Sequence, residues 1–203
     1  IQTGMGWVAT PELVAGSCNA GAFGFLSCAV LEAKDVGPAI DRTRSMTDRP
    51  FGVNFHMFQP GAAQIVDTFI EKKVAAVAFG RGPDKKIIAR FRDAGIKCVP
   101  TIGAVRHAQK MEELGVDMLV VQGGEGGGHT GSVAGSVLLP QVLDAVKIPV
   151  VAAGGYADGR GLAAALTFGA EGIAMGTRFL MTKESPVPQA TKERYLAAKL
   201  DDI

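Results

Sequence analysis

The residues best equipped for chemistry sit together in Gln122-Gly123-Gly124-Glu125-Gly126-Gly127-Gly128-His129-Thr130-Gly131. Six glycines in these ten positions let the backbone take positive φ and come close to a ligand. Ordering such a segment is entropically costly, so a loop of this kind is expected to have a task. His129 is one of three histidines in the chain. An imidazole beside a ligand can act as a base or a hydrogen-bond donor. The pattern suits a flat, phosphorylated ligand lying over the loop with His129 at its side. A surface loop with an incidental histidine is the competing reading. No second histidine or carboxylate stands at ligand spacing from His129, so no metal site is expected.

Two more glycine clusters could take the phosphate: Ala153-Gly154-Gly155-Tyr156-Ala157-Asp158-Gly159 and Met175-Gly176-Thr177-Arg178. Backbone N–H groups, the Thr177 hydroxyl and the dipole of the helix after Asp158 would supply the donors. Tight corners between elements would need the same glycines. Other candidates are weaker. His56 follows an apolar run and is open to two readings, contact with substrate or packing in its loop. His107, within a helical pattern, reads as structural or solvated. Cys28 could be a nucleophile, but no base is placed near it, and a buried thiol is the alternative. Glu125 is either catalytic or a carboxylate bound to neighbouring N–H groups. Trp7 and Met5 would wall a planar ring.

The elements that must position these residues repeat a single rhythm. Short apolar runs at 1–3, 23–26, 50–55, 74–79, 97–102, 118–121, 149–153 and 172–175 each lead into a helical pattern. The helices fall at 10–21, 31–46 with a bend near Gly37-Pro38, 62–73, 83–94, 104–114, 138–146, 159–168 and 190–200. Eight βα units with strands apolar on both faces read as an α/β fold, a (β/α)8 TIM barrel. Every strand's C-terminal end then opens on one mouth, which gathers Gly4, Met5, Asn54, Gln122, His129, Gly154, Gly155, Gly176 and Thr177. The barrel is expected over 1–185 and the start of a post-barrel helical segment over 186–203.

With 203 residues, 47% hydrophobic and a formal net charge of +1, the chain has an ordinary globular composition. Balanced charge without a basic run gives no nucleic-acid surface. No apolar run reaches the roughly 20 residues of a membrane span. Three scattered cysteines fit neither a disulfide framework nor a zinc spacing and suit a reducing, cytoplasmic setting.

Taken in order, Gln2-Thr3-Gly4-Met5, Pro50-Phe51-Gly52-Val53-Asn54, the Gln122–Gly131 loop, Ala152-Ala153-Gly154-Gly155-Tyr156-Ala157-Asp158-Gly159 and Met175-Gly176-Thr177-Arg178-Phe179 resemble the nitronate monooxygenase family, formerly the 2-nitropropane dioxygenases. That family also includes flavin enoyl-acyl-carrier-protein reductases. The Gln-Thr-Gly-Met-Gly-Trp opening and the His129 loop are most similar to a branch implicated in steroid-ring breakdown on coenzyme A thioesters. The resemblance implies an FMN-dependent barrel with a small extra domain, which is expected to be missing from this chain. It places Gly4, Met5 and Gly6 behind the flavin ring, Asn54 under it, Gln122 near the ribityl chain and Gly127 and Gly128 over the isoalloxazine. Gly154, Gly155, Gly176 and Thr177 match the phosphate cradle, and His129 matches the active-site histidine. Thr101 stands where some members carry a flavin-contacting lysine. Gly124 and Gly126 replace larger residues, which would widen the pocket.

The activity this implies is oxidation of alkyl nitronates with O2 to carbonyl compounds and nitrite, with His129 binding nitronate oxygens or acting as base. The alternative is a flavin-dependent reductase or dehydrogenase of an acyl-CoA or acyl-carrier thioester, with NAD(P)H as redox partner. A flavin-binding barrel without turnover is the third reading. A homodimer is compatible with each of them. FMN is expected rather than FAD, because the cradle ends at one phosphate and no Gly-x-Gly-x-x-Gly turn follows the first strand.

Overall fold

The computed structural model describes residues 1–80, 84–128, 131–199 and 201. Among these residues, seven parallel strands form one sheet in sequence order: β1 (Phe25–Ser27), β2 (Gly52–Asn54), β3 (Ala76–Phe79), β4 (Lys97–Ile102), β5 (Leu119–Gln122), β6 (Val150–Ala153) and β7 (Gly172–Ala174). Residues 1–3 close the sheet into a barrel. Gln2 bridges in parallel to Gly24 on one side and to Met175 on the other. Four backbone hydrogen bonds make the seam: Gln2 N–H to Phe23 O, Phe25 N–H to Gln2 O, Thr3 N–H to Met175 O and Met175 N–H to Ile1 O, at 2.9–3.2 Å. The first expected strand is thus the eighth stave, reduced to a single bridging residue.

Strand residues alternate between two apolar compartments, as a sheet buried on both faces demands. Phe25, Ala76, Val99, Val120, Val151, Ala153 and Ala174 fill the barrel interior. Leu26, Val53, Val77, Cys98, Leu119, Val121, Val150, Ala152 and Ile173 face outward into the layer beneath the helices.

The helices follow their strands: α1 (Pro11–Asn19), α2 (Ala33–Met46), α3 (Ala62–Glu71), α4 (Lys85–Asp93), α5 (Val105–Glu113), α6 (Gly135–Ala145), α7 (Gly159–Phe168), α8 (Thr177–Leu180) and α9 (Gln189–Ala197). Thr10 caps α1 ahead of Pro11, as its sequence requires. Three helices differ from expectation. α2 runs through Pro38 as one helix. The cap of α4 is Asp84, whose carboxylate accepts from the N–H groups of Lys86 and Ile87 at 3.0 and 3.1 Å. α6 begins at Gly135, three residues before the apolar periodicity does, because Glu125 reaches it from the glycine loop. The short α8 falls in a stretch expected as a loop. Beyond the barrel, Val187 packs with Val8 and Leu13. The buried Lys192 ammonium donates to Thr182 O and Ser185 O at 2.7 and 3.0 Å, which ties α9 to the turn after α8.

Candidate active site

The C-terminal ends of the strands bring the expected residues, apart from His129, to one mouth. Asn54 ends β2 and Gln122 ends β5, and both share the inward parity of the interior residues. Thr101 lies on β4, two residues beyond the interior Val99, and also faces inward. Gly4 comes so near Asn54 that a Cβ there would stand 2.5 Å from Asn54 Cγ. Glycine at position 4 is therefore what leaves room for the Asn54 amide. Met5 lies over Gly176, where a Cβ would meet Met5 Sδ at 3.4 Å and Thr3 Cγ2 at 3.5 Å. The opening segment and the loop after β7 are thus one surface.

The glycine loop packs on the loop after β6. Gly154 and Gly155 both hold positive φ, at 93° and 74°, a conformation that side chains rarely tolerate. A Cβ on Gly154 would stand 3.0 Å from Gly126 N and 3.2 Å from Gly123 O. Gln122 Nε2 donates to Gly127 O at 2.9 Å, so this side chain holds the loop in place. Gly126 and Gly124 do not widen the pocket. A Cβ at Gly126 would sit 2.6 Å from the Gln122 side chain, and one at Gly124 would lie 3.3 Å from Gly131 O and Ser132 C. The space that larger side chains would need is filled by this chain's own atoms.

Glu125 has the structural role of the two considered. Its carboxylate accepts from Gly135 N–H at 2.9 and 3.0 Å, satisfying the start of α6. Tyr156, beside it, has its hydroxyl pKa raised, first by burial and then by the Glu125 charge. The dipole expected from α7 is already engaged. Asp158 caps that helix by accepting from Arg160 N–H and Gly161 N–H at 2.9 and 3.4 Å. The N–H groups of Gly155, Thr177 and Arg178 have no hydrogen-bond partner among the described residues. These, rather than the capped end of α7, are the donors left for an anion.

His129 lies outside the described residues, as does Thr130. His107 is exposed on α5. His56 stacks on Phe58 with ring centroids 4.9 Å apart, and its backbone N–H donates to Gln59 Oε1 at 2.9 Å. Cys28 is fully buried, and burial pushes its thiol pKa up to about 12, which removes it as a nucleophile near neutral pH. A Cβ built on Gly6 would come within 4.0 Å of Val30 Cγ1, so the first two mouth loops run close together here. Trp7, Val30 and Phe58, on three consecutive loops of this face, are 60, 59 and 68% exposed and form an apolar rim. Sequence reasoning passed over Ser27, which the structure brings beside Asn54 through the β1–β2 register. No local sequence signal points to it, since its place follows from the register with Asn54.

The orphaned polar atoms test whether a flavin fits. Asn54 Oδ1 and Ser27 Oγ are buried and have no partner among the described residues. These two groups, at the mouth end of the barrel interior, offer an acceptor and a donor to a polar ring, below the loops whose Gly155, Thr177 and Arg178 N–H groups are free among the described residues. The residues present fit a flat phosphorylated heterocycle.

Comparison with known proteins agrees with this geometry. The family model described as nitronate monooxygenase matches residues 1–71 and 62–203. A Rhodococcus jostii protein named (3aS,4S,5R,7aS)-5-hydroxy-7a-methyl-1-oxo-octahydro-1H-indene-4-carboxyl-CoA dehydrogenase is 53% identical over 202 residues, 100% of this chain and 57% of its own length. The chain therefore spans little more than half of that relative. The structure of FabK from Thermotoga maritima superposes with TM-score 0.94 at 41% identity, over 98% of this chain and 64% of that one. A nitroalkane oxidase from Streptomyces ansochromogenes gives TM-score 0.92 at 34% identity, over 98% and 70%. With a glycine-lined barrel mouth and the family's model matched from end to end, the chain belongs to the nitronate monooxygenase family.

Proposed function

We propose that the protein is an FMN-dependent oxidoreductase that acts on an acyl-CoA thioester with a bulky alicyclic body. The observation that carries this reading is the 53% identity, over the whole of this chain, to a dehydrogenase of a bicyclic carboxyl-CoA. The apolar rim of Trp7, Val30 and Phe58 supports it, since a small nitronate has nothing to lay against three exposed hydrophobic groups. The sequence-based order of preference, nitronate first, is reversed on these two grounds. FMN bound at the mouth supplies the acceptor for substrate electrons. The chain's residues bind and orient. Gly155, Thr177 and Arg178 offer N–H groups to the phosphate, while Gly4, Met5 and Gly6 form one wall of the ring site. Asn54 and Thr101 face the ring from the barrel interior, and Gly127 and Gly128 cover it. His129 holds or moves the proton beside the thioester carbonyl.

Nitronate oxidation with O2 is the second reading, favoured by the family's own description and by the likeness to a nitroalkane oxidase. Anaerobic flavin absorbance separates the two. Bleaching by a bicyclic acyl-CoA, and not by propionate 3-nitronate, is expected. Bleaching by the nitronate alone, with nitrite released on admitting air, would overturn the thioester reading. Cofactor released by heat should chromatograph as FMN; FAD would overturn the cofactor assignment.

A further inference from the structure

We propose that Ser27 and Asn54 form a donor–acceptor pair that reads the imide edge of the bound flavin ring, which makes Ser27 a binding residue of the site. The inference rests on the flavin reading above. Ser27 and Asn54 are register partners across the parallel β1–β2 ladder. Ser27 shares the inward parity of Phe25, and Asn54 that of Gly52, whose Cα faces the Phe25 ring. Neighbouring strands lie about 4.8 Å apart, so both polar heads fall within the span of one ring edge.

Their surroundings give neither head a partner. Ser27 is 4% exposed, and its Oγ, like Asn54 Oδ1, makes no hydrogen bond among the described residues. An unsatisfied buried polar group is costly, and native proteins hold few of them. Two such groups on paired strand ends, beside the apolar Phe25, Ala76, Val99 and Val120 of the interior, mark a place where the partner comes from a ligand. Gly4 preserves the arrangement, because any side chain there would displace the Asn54 amide.

The chemistry of the pair selects among ligands. An imide edge, –CO–NH–CO–, presents acceptor, donor and acceptor in a row. Asn54 Oδ1 accepts from the ring N–H, and the Ser27 hydroxyl donates to the adjacent carbonyl. Phosphate and nitronate oxygens only accept, so neither satisfies Asn54 Oδ1. The pair therefore reads the ring itself, separately from the phosphate donors on the loops after β6 and β7.

The test titrates the protein with FMN and with N3-methyl-FMN, which lacks the imide N–H, and follows flavin fluorescence. Wild type should bind FMN more tightly than the methylated analogue. Ser27→Ala should weaken FMN binding about 2- to 12-fold, the worth of one hydrogen bond. Its ligand-free melting temperature should be unchanged or raised, because the hydroxyl removed had no partner. Equal affinity of wild type for both flavins, or unaltered FMN binding by Ser27→Ala, would overturn the pair while leaving the flavin reading intact. A Ser27→Ala protein that melts early or does not fold would mark a structural serine and overturn it as well. Failure of wild type to bind FMN at all would instead overturn the flavin reading and the pair with it.

Discussion

Gly4 shows how a single hydrogen in place of a side chain shapes the site. Its would-be Cβ overlaps Asn54, a short side chain with one χ1 to turn and little room to turn in. Gly4→Ala should leave the barrel folded but rotate Asn54 away, and FMN affinity should fall. Gly176→Ala is the matched comparison. The nearest atoms to its Cβ are Met5 Sδ and Thr3 Cγ2 at 3.4–3.5 Å, ordinary contact distances, and φ is −104°, so stability should hold. Gly176→Val adds branches where an anion must approach the Thr177 N–H and should lower flavin content at limiting FMN. The buried thiols carry a pH prediction. Burial lifts both Cys28 and Cys98 to about 12 from an ordinary 9.0, with Asp117 adding to the second. A thiol pKa raised on folding leaves stability whole below pH 9. Above that the unfolded chain ionises first, so stability should fall between about pH 9 and 12. Urea unfolding at pH 8 and pH 10 checks this, and native protein at pH 8 should resist thiol alkylation. Much of the site was legible at this scale, because glycines at 154, 155 and 176 announce close approach locally. Ser27 was not, since whether a hydroxyl is buried without a partner depends on barrel parity and on what stands across the ladder.

At the scale of elements, sequence signals worked where they were local and failed where the deciding partner was distant. α1 and α7 start and stop where Thr10, Pro11, Asp158 and Gly169 say they should, since cap and helix adjoin. The start of α6 departs from its apolar periodicity because the carboxylate that accepts from its first N–H, Glu125, sits ten residues upstream in the glycine loop. α8 was missed because four residues after Gly176 carry no periodicity. Glu125 thus couples the loop over the site to the helix behind it. Glu125→Ala should cost about 1 kcal/mol, as loss of a helix cap does. It should also loosen the loop whose position Gln122 shares in holding, so flavin affinity should fall together with stability. Glu125→Gln keeps an acceptor oxygen for Gly135 N–H and should recover most of both. A variant that loses turnover with stability and flavin affinity unchanged would make Glu125 catalytic after all.

The whole molecule is a ring with one thin stave. β3, β4, β5 and β6 are each paired over two to four register positions on both sides. The seam at residues 1–3 holds by two bridges of the single residue Gln2. Gln2 is fully buried, and its side-chain amide donates to Thr3 O and Phe25 O, the second at 3.4 Å, while Oε1 has no partner among the described residues. This residue closes the barrel with backbone and side chain together. The same seam carries Thr3, Gly4 and Met5 into the mouth, so opening it dismantles one wall of the ring site. Local opening takes place where hydrogen bonding is sparse, at less than the global free energy. Amide exchange should therefore be fastest, among the staves, at Gln2, Thr3, Phe25 and Met175, and slowest in β4 and β5. FMN should slow exchange at the seam more than in β4, because the ligand would bind the closed ring and not the open one. Gln2→Ala should cost about 2–5 kcal/mol, as a buried large-to-small change does. Seam exchange should rise before β4 exchange does. If all staves quicken together, the ring opens only by global unfolding, and the seam is no weaker than the rest.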